Sequence, residues 1–397
     1  MRSSVPGAPD RRPATQGEQA AAPLLEVANA FEIPGRWRGS VPYGSGHIHD
    51  TFLVVFEQDG RPVRFVQQRL NTRVFHDPHA VMENVRRVTE HQRVALERAG
   101  VADTERRALR LVPARERGFE YVDTEGGFWR TFAFIEGASS QDVIRSPEDA
   151  RVAAEAFGRF QAMLADLPAP RLAETIPHFH DARARFEALE AAAAHDALDR
   201  LDGCRAELDG FRRNEPLLDR LDRLHAEGLL PERIAHNDTK LNNVLTDDRT
   251  GEALCVIDLD TVMPGLVLHD FGDLVRTATS PTPEDERDLS RIDVQPAMLA
   301  ALARGYLDGA GGFLTPAERD ELVFSGILVT LVVGMRFLTD HLEGDGYFRA
   351  HRPGHNLDRA RSQLRLAERI LSRRDELEAI VGEASHGPTP PSLFRSP

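Results

Sequence analysis

The sequence predicts an α+β fold in two lobes, a small β-rich one towards the N-terminus and a larger, mainly helical one after it. Three observations carry this. A chain of 397 residues exceeds what one small core encloses. Before about residue 135 short runs rich in β-branched and aromatic residues dominate, and after residue 146 Ala-, Leu- and Arg-rich segments recur at helical spacing. A single β-like island, NNVLTDDRTGEALCVIDLD (242–260), interrupts the helical half.

The elements follow in order. TFLVVFEQDGRPVRFVQQRL (51–70) reads as strand, Asp59-Gly60 turn and strand, because that dipeptide favours tight hairpins. Pro78 then opens a helix at about 78–99, whose apolar face is Val81, Val85, Val88 and Leu96. ALRLVPA, FEYVD and FWRTFAFI (108–135) are strand candidates. Helices are expected at about 148–166, 181–201, 204–227, 294–308, 316–342 and 356–380. The lobes are therefore set at 24–137 and 138–382. The Pro-, Ser- and Gly-rich ends, 1–23 and 383–397, read as disordered tails.

Composition narrows the function. A formal charge of −14 with no basic run argues against nucleic acid. Cys204 and Cys255 stand far apart, with neither zinc nor disulfide spacing, and suit a reducing compartment. The longest apolar run, GILVTLVVGM (326–335), falls short of the ~20 residues that span a bilayer. The expectation is a cytoplasmic monomer or dimer without a membrane partner.

Chemistry concentrates in RIAHNDTKLNNVLTDD (233–248). A loop carrying Asp238, with Asn243 five residues on and Asp258 twenty residues on, supplies what metal-assisted phosphoryl transfer needs. One carboxylate takes the acceptor hydroxyl, while an amide oxygen and a second carboxylate hold Mg²⁺. Lys240 either neutralises the transferring group or is a solvated loop lysine, and His236 is a packing residue of the loop. Asp260, turned by strand alternation to the same side as Asp258, is assigned to that pocket, as a partner of the metal or a contact of the substrate. HDFGDLVR (269–276) also contains Asp-Phe-Gly, but no strand delivers it, so Asp270 and Asp273 read as caps or anchors of the helix that follows. HFHD (178–181) reads as a helix start capped by Asp181.

Upstream, Gly44, Gly46 and His47 lie in a glycine turn between two strands, able to lay backbone N–H groups over phosphates. Phe134, Ile135 and Glu136 stand at the end of a strand and precede Gly137, as a connector whose backbone could meet an adenine.

This His-x-Asp loop with its hairpin-linked aspartate resembles the aminoglycoside and choline phosphotransferase branch of the protein-kinase-like superfamily. YGSGHIHDTFLV, FHDPHAVMENV, IPHFHD, HNDTKLNNVL, VIDLDTVMPG and GMRFLTDHLEGDGYF together resemble, more narrowly, bacterial N-acetylhexosamine 1-kinases. The resemblance implies a bilobal protein-kinase-like fold and ATP- and Mg²⁺-dependent phosphorylation of the anomeric hydroxyl of N-acetylglucosamine or N-acetylgalactosamine. It further implies that Asp238 is the base and that Arg336 and Tyr347 hold the sugar. The chain departs from the superfamily at RFVQQRLN (64–71), which has no lysine on the third strand. Gln68 or Arg69 is left for that role, with Glu83 and Glu90 as ion-pair candidates. The alternative is a kinase of this fold acting on an aminoglycoside, an amino alcohol or another sugar. A nucleotide-binding regulator without transfer is the reading from a different class.

Overall fold

The structure is a computed structural model that describes residues 24–44, 48–141 and 144–385. The tails expected at 1–23 and from 386 onward, and the assignments to Gly46 and His47, lie outside these residues. The chain divides into two compact units, one formed by residues through Val74 with Arg110–Phe134, the other by Phe75–Leu109 with the chain from Ile135.

The first unit is an antiparallel sheet of β1 (Arg36–Pro42), β2 (Asp50–Gln58), β3 (Arg61–Arg69), β4 (Glu120–Val122) and β5 (Phe128–Ala133), in the order β1-β2-β3-β5-β4. Asp59 and Gly60 both take positive φ, 48° and 76°, which gives the two-residue turn that joins β2 to β3. One sheet face buries Val54, Phe56, Phe65 and Trp129 against Val27 and Ala28 of a short helix, α1 (residues 24–29), and Phe31. Of the expected strand ALRLVPA only isolated bridges form, Leu111 to Phe132 and Ala114 to Phe31. Pro113 breaks the ladder there because it has no N–H to give.

The second unit is mainly helical. It comprises α2 (Pro78–Arg98), α3 (Thr104–Arg107), α4 (Pro147–Met163), α5 (Ala182–His195), α6 (Arg205–Arg213), α7 (Arg220–Ala226) and α8 (Val267–Ala278). It continues with α9 (Pro296–Ala310), α10 (Pro316–Asp320), α11 (Leu322–Glu343), α12 (His355–Ser372) and α13 (Arg374–Ser385). Asn84 ties α2 into this unit, donating to the carbonyls of Ala173 (2.8 Å) and Val262 (3.1 Å). The helix expected over 204–227 is instead two helices, parted by a 3₁₀ turn at Glu215–Leu217 that Pro216 opens. Residues 383–385, expected in the tail, are the last turn of α13.

Helix α11 is the core element. Its 22 residues are apolar enough to cross a bilayer by length and composition, but 89% of its most apolar window is buried inside the protein. It packs against α5, α8 and α12.

Candidate active site

Four short strands fix the polar loop and the acids after it. β7 (Arg233–Ala235) pairs with β10 (Met263–Gly265), while β8 (Val244–Asp247) and β9 (Ala253–Val256) form a hairpin, to which β6 (Ala138–Ser139) adds a third strand. Residues 236–243 run from β7 into β8, and 257–262 run from β9 into β10. Both stretches are thus clamped at each end, and the Ile257 amide donates to the Asn243 carbonyl between them (2.9 Å).

Within the loop the roles differ. Asn237 takes φ +66° and holds that turn by donating to the carbonyls of Ala235 (3.2 Å) and Thr261 (2.9 Å). His236 is fully buried between Phe157 and Phe160; its Nε2 donates to the Ile257 carbonyl (2.9 Å) and its Nδ1 accepts from the Asp238 amide (3.3 Å). Both nitrogens are engaged inside the protein, so His236 supports the loop and is no base. Asp238 keeps its side chain 25% exposed, and its Oδ1 lies 2.6 Å from Lys240 Nζ. Burial opposes ionisation of Asp238, but the Lys240 charge and hydrogen bond outweigh it and hold the carboxyl below its ordinary value. Asn243 donates Nδ2 to both the Asp238 carbonyl (2.8 Å) and carboxylate (3.2 Å), so of its two amide atoms Oδ1 is the one that could coordinate a cation.

The acids after β9 are positioned by a turn, which corrects the alternation argument. The strand ends at Val256, Asp258 takes φ +61°, and Asp260 sits in the 3₁₀ turn Leu259–Thr261. A carboxylate oxygen of Asp258 and one of Asp260 still come within 4.8 Å of each other. Asp258 is exposed and Asp260 is buried. Two carboxylates and an amide oxygen are hard donors of the kind that suit Mg²⁺.

The Asp-Phe-Gly stretch proves structural in every letter. Asp270 does not cap its own helix. Fully buried in the first turn of α8, it accepts from the backbone amides of His236 (2.8 Å) and Asn237 (2.6 Å) and from Gln161 Nε2 (2.5 Å). Asp273 accepts from the Thr239 amide (3.0 Å) and from Arg276 Nε (2.8 Å). Phe271 is buried against Tyr306. Gly272 has no side chain because a methyl there would run into the Ser325 carbonyl on α11. The anchor is thus of the loop to the helix, a partnership that the sequence reading missed.

Burial raises the Asp270 carboxyl to about 6, against the pull of its partners. A carboxyl whose pKa is raised in the fold favours stability most when protonated, below about 4, and that contribution is lost as pH rises through about 6. Holding two amides, however, needs the anion. The expected result is an acid limb in kcat near pH 6 with no matching fall in thermal stability. Asp270→Asn, which resembles the protonated form, is expected to remove that limb and to lower kcat by ~10- to 100-fold at pH 8 through loop misplacement. A pH–rate profile of the variant that keeps the limb contradicts this.

Elsewhere in the second unit, α11 carries Arg336 and ends at Gly344, φ +111°. Asp340 then takes the amides of Tyr347 (2.8 Å) and Phe348 (2.9 Å), folding the following segment back over the helix. Arg336 Nη2 donates to the Tyr347 hydroxyl at 3.2 Å, and its guanidinium lies 4.7 Å from the Phe179 ring centre and 5.3 Å from that of Phe348. Burial lowers its pKa, while Tyr347 and Asp238 favour its charge. Arg336 and Tyr347, eleven residues apart in sequence, are therefore brought together.

The nucleotide candidates are described unit by unit. In the first unit Gly44 takes φ +82°, with no atom of the described residues within 4 Å of where a Cβ would stand, as a backbone cradle requires. Gln68 is engaged within the sheet. Its Oε1 accepts from Arg130 Nε (3.0 Å) and Nη2 (2.8 Å), and its Nε2 donates to Thr51 (3.2 Å). Arg130 on β5, 2% exposed, is thus the cation beside the position where the third-strand lysine is missing, which sequence inspection of β3 alone did not find. The Phe134 amide donates to the Arg64 carbonyl (3.3 Å) and its ring lies under that guanidinium (4.1 Å). In the second unit Ile135 is buried with Leu254 and Cys255, and Arg106 donates to the carbonyls of Glu136 (3.0 Å) and Gly137 (2.9 Å). Several connector groups expected to meet an adenine therefore have partners within the chain. Glu83 and Glu90 pair along their own helix with Arg86 and Arg93, as surface charge.

Among solved structures the chain is similar to an aminoglycoside phosphotransferase from Alicyclobacillus acidocaldarius, at 14% identity over 97% of this chain and 98% of that one, with a TM-score of 0.56. It is also similar to a choline kinase from Cryptosporidium parvum, at 14% identity over 87% and 92% of the two chains, with a TM-score of 0.50. These likenesses establish the kinase-like fold, mixed α+β with a sheet-containing N-terminal part and a helical C-terminal part. The profile of the phosphotransferase enzyme family matches residues 41–322, from the end of β1 to the first residue of α11. With the His-x-Asp loop and both acids of the second turn inside that match, the chain belongs to the phosphotransferase enzyme family.

Proposed function

We propose that the protein transfers the γ-phosphoryl group of ATP to the anomeric hydroxyl of an N-acetylhexosamine, N-acetylglucosamine or N-acetylgalactosamine. The hydroxyl oxygen forms the new bond to phosphorus, the bond from that phosphorus to the bridging oxygen of ATP breaks, and sugar 1-phosphate and ADP leave. Asp238 orients the hydroxyl and receives its proton, and Lys240, 2.6 Å from Asp238, is near enough to shift towards charge on the transferring group. Asn243 through Oδ1, with Asp258 and Asp260, would hold Mg²⁺, which when bound neutralises phosphate charge. Gly44 would lie over the phosphates, Arg130 would supply a cation on the sheet side, and the backbone around Phe134, Ile135 and Glu136 would meet the base. This positional and electrostatic work suits a loose transition state, which asks little covalent chemistry of the protein.

The observation that carries the acceptor is the Arg336–Tyr347 pair. Arg336 feels the Asp238 charge and has no carboxylate partner among the described residues, and its 3.2 Å bond to Tyr347 sets a guanidinium fork beside a phenol. That combination recognises neutral hydroxyls and an acetamido carbonyl, and the ring offers a face to a pyranose. A second reading, a cationic acceptor, draws on a cavity of about 300 Å³ by Asn237 that Glu174, Asp181, Asp222 and Glu232 line. ADP release measured with ATP and Mg²⁺ over a panel of N-acetylhexosamines, other sugars, aminoglycosides and amino alcohols separates the two. Turnover confined to the N-acetylhexosamines is the expected result, and turnover confined to amines refutes the sugar reading.

A further inference from the structure

Beside Arg336 stands a second arginine to which no role has been given. Arg185 lies in the first turn of α5, whose N-cap, Asp181, accepts from the Ala184 amide (2.9 Å). Phe179, two residues before that cap, carries the Arg336 guanidinium over its ring at 4.7 Å, so the entry to α5 and the Arg336 stretch of α11 face one another. Among the described residues Arg185 makes no ion pair, and its Nε is buried without a hydrogen-bond partner. Burial first, and then Arg336, push its pKa down to about 10, while Tyr347 and Asp181 favour its charge.

This is costly. A buried guanidinium N–H left unmatched and two cations held side by side both disfavour the fold, and a protein of this charge has no shortage of carboxylates to pair them. Arg276, more deeply buried, is matched by Asp273 and Glu284, and the partly buried Arg233 by Glu318. The Nε atoms of Arg107, Arg359 and Arg369 are also buried without a hydrogen-bond partner, so what sets Arg185 apart is its place beside Arg336 and Tyr347. Two neighbouring guanidinium groups without acid partners, next to a general base, are what a site for an oxygen-rich ligand looks like before the ligand arrives. The ligand's hydroxyl or carbonyl oxygens then supply the missing acceptors.

We propose that Arg185 is a second acceptor-binding residue that, with Arg336, takes the oxygen-rich side of a neutral or anionic acceptor and excludes cationic ones. Resting on the phosphotransfer reading above, this names the charge class of its acceptor. An N-acetylated amino sugar enters because acylation removes the ammonium charge. The parent amine meets two guanidinium groups and is rejected by like charge, in addition to any lost contact.

Steady-state kinetics on the full chain test this with N-acetylglucosamine and glucosamine at saturating ATP and Mg²⁺. Arg185→Gln is expected to raise KM for the N-acetyl sugar by ~10-fold or more with kcat within ~3-fold of wild type, and to lower the preference for it over glucosamine by ~10-fold. An unchanged KM and an unchanged preference overturn the proposal. Where Arg185→Gln loses thermal stability or affinity for ATP, Arg185→Lys carries the test. It retains the charge without the fork, so KM rises while rejection of glucosamine persists; rejection lost in the lysine variant overturns the proposal too. If wild type turns over no N-acetylhexosamine but another uncharged or anionic acceptor, the sugar assignment fails and the variants are measured on that acceptor, with the same KM criterion deciding. A wild-type enzyme that turns over only cationic acceptors refutes the role of Arg185 outright.

Discussion

Asp238→Asn is expected to lower kcat by ~10²- to 10⁴-fold while leaving the affinity for Mg-ATP within ~3-fold of wild type. The asparagine fills the same space and retains an oxygen for the Asn243 amide, which in the native loop bridges the Asp238 carbonyl and carboxylate at 2.8 and 3.2 Å. What it loses is the ability to take a proton and the charge that holds Lys240. Because the Lys240 side chain is 46% exposed, water replaces that partner at little cost to the fold. Binding of nucleotide by calorimetry and turnover by ADP release then move independently. Turnover within tenfold of wild type would remove Asp238 from the role of base and leave it as a support of the loop.

The opposite pattern is expected on the other side of Asp238. Its neighbours in sequence, His236 and Asn237, hold the loop through buried contacts with Phe157, Phe160, Asp270 and Thr261, so their loss reads first as instability. Only Asp238 and Lys240 among the loop's charged groups present a partly exposed surface. The split between a rigid polar underside and two accessible charges is what permits a variant at Asp238 to be informative about chemistry.

This division explains which parts of the site were legible in the sequence. The spacing of Asp238, Asn243 and Asp258 was readable because one hairpin, β8 and β9, sets it, and local turn chemistry writes that hairpin into the sequence. The Asp59-Gly60 turn was readable for the same reason, both residues taking positive φ. Asp270 was not. Its bonds to His236 and Asn237 cross 34 and 33 residues, and the pattern that makes it buried, the α8 face, says nothing about what lies above it. Alternation failed for Asp258 and Asp260 because the chain leaves extended geometry at Asp258, and a single left-handed residue changes which side the next two side chains take. The break after α6 was missed because Pro216 sits inside a run whose Leu spacing still looks helical. Arg130 and Arg185 were hidden by a different cause. The first is recognisable only from the strand paired beside it, the second only from partners that are absent in three dimensions.

The turn at Asp258 also yields the other large effect. Asp258→Ala is expected to weaken Mg-ATP binding by at least ~100-fold, because one of two carboxylates available to the cation disappears while Asn243 offers only a neutral oxygen. That variant carries a second effect, since alanine at φ +61° costs about 1 kcal/mol that aspartate partly avoids. Asp258→Asn separates the two, for asparagine tolerates the left-handed region and loses only the charge. Asp258 is exposed, so thermal stability without nucleotide is expected to hold in the asparagine variant. Asp260 differs. At 1% exposure, with its carbonyl held by the Thr175 hydroxyl at 2.7 Å, its replacement mixes loss of cation binding with loss of packing. Titration with Mg²⁺ at fixed ATP therefore discriminates best at Asp258. A shift of the metal dependence to higher concentration, with turnover recovering at saturation, locates the cation there, whereas an unchanged metal dependence in Asp258→Asn moves the cation to a different acid.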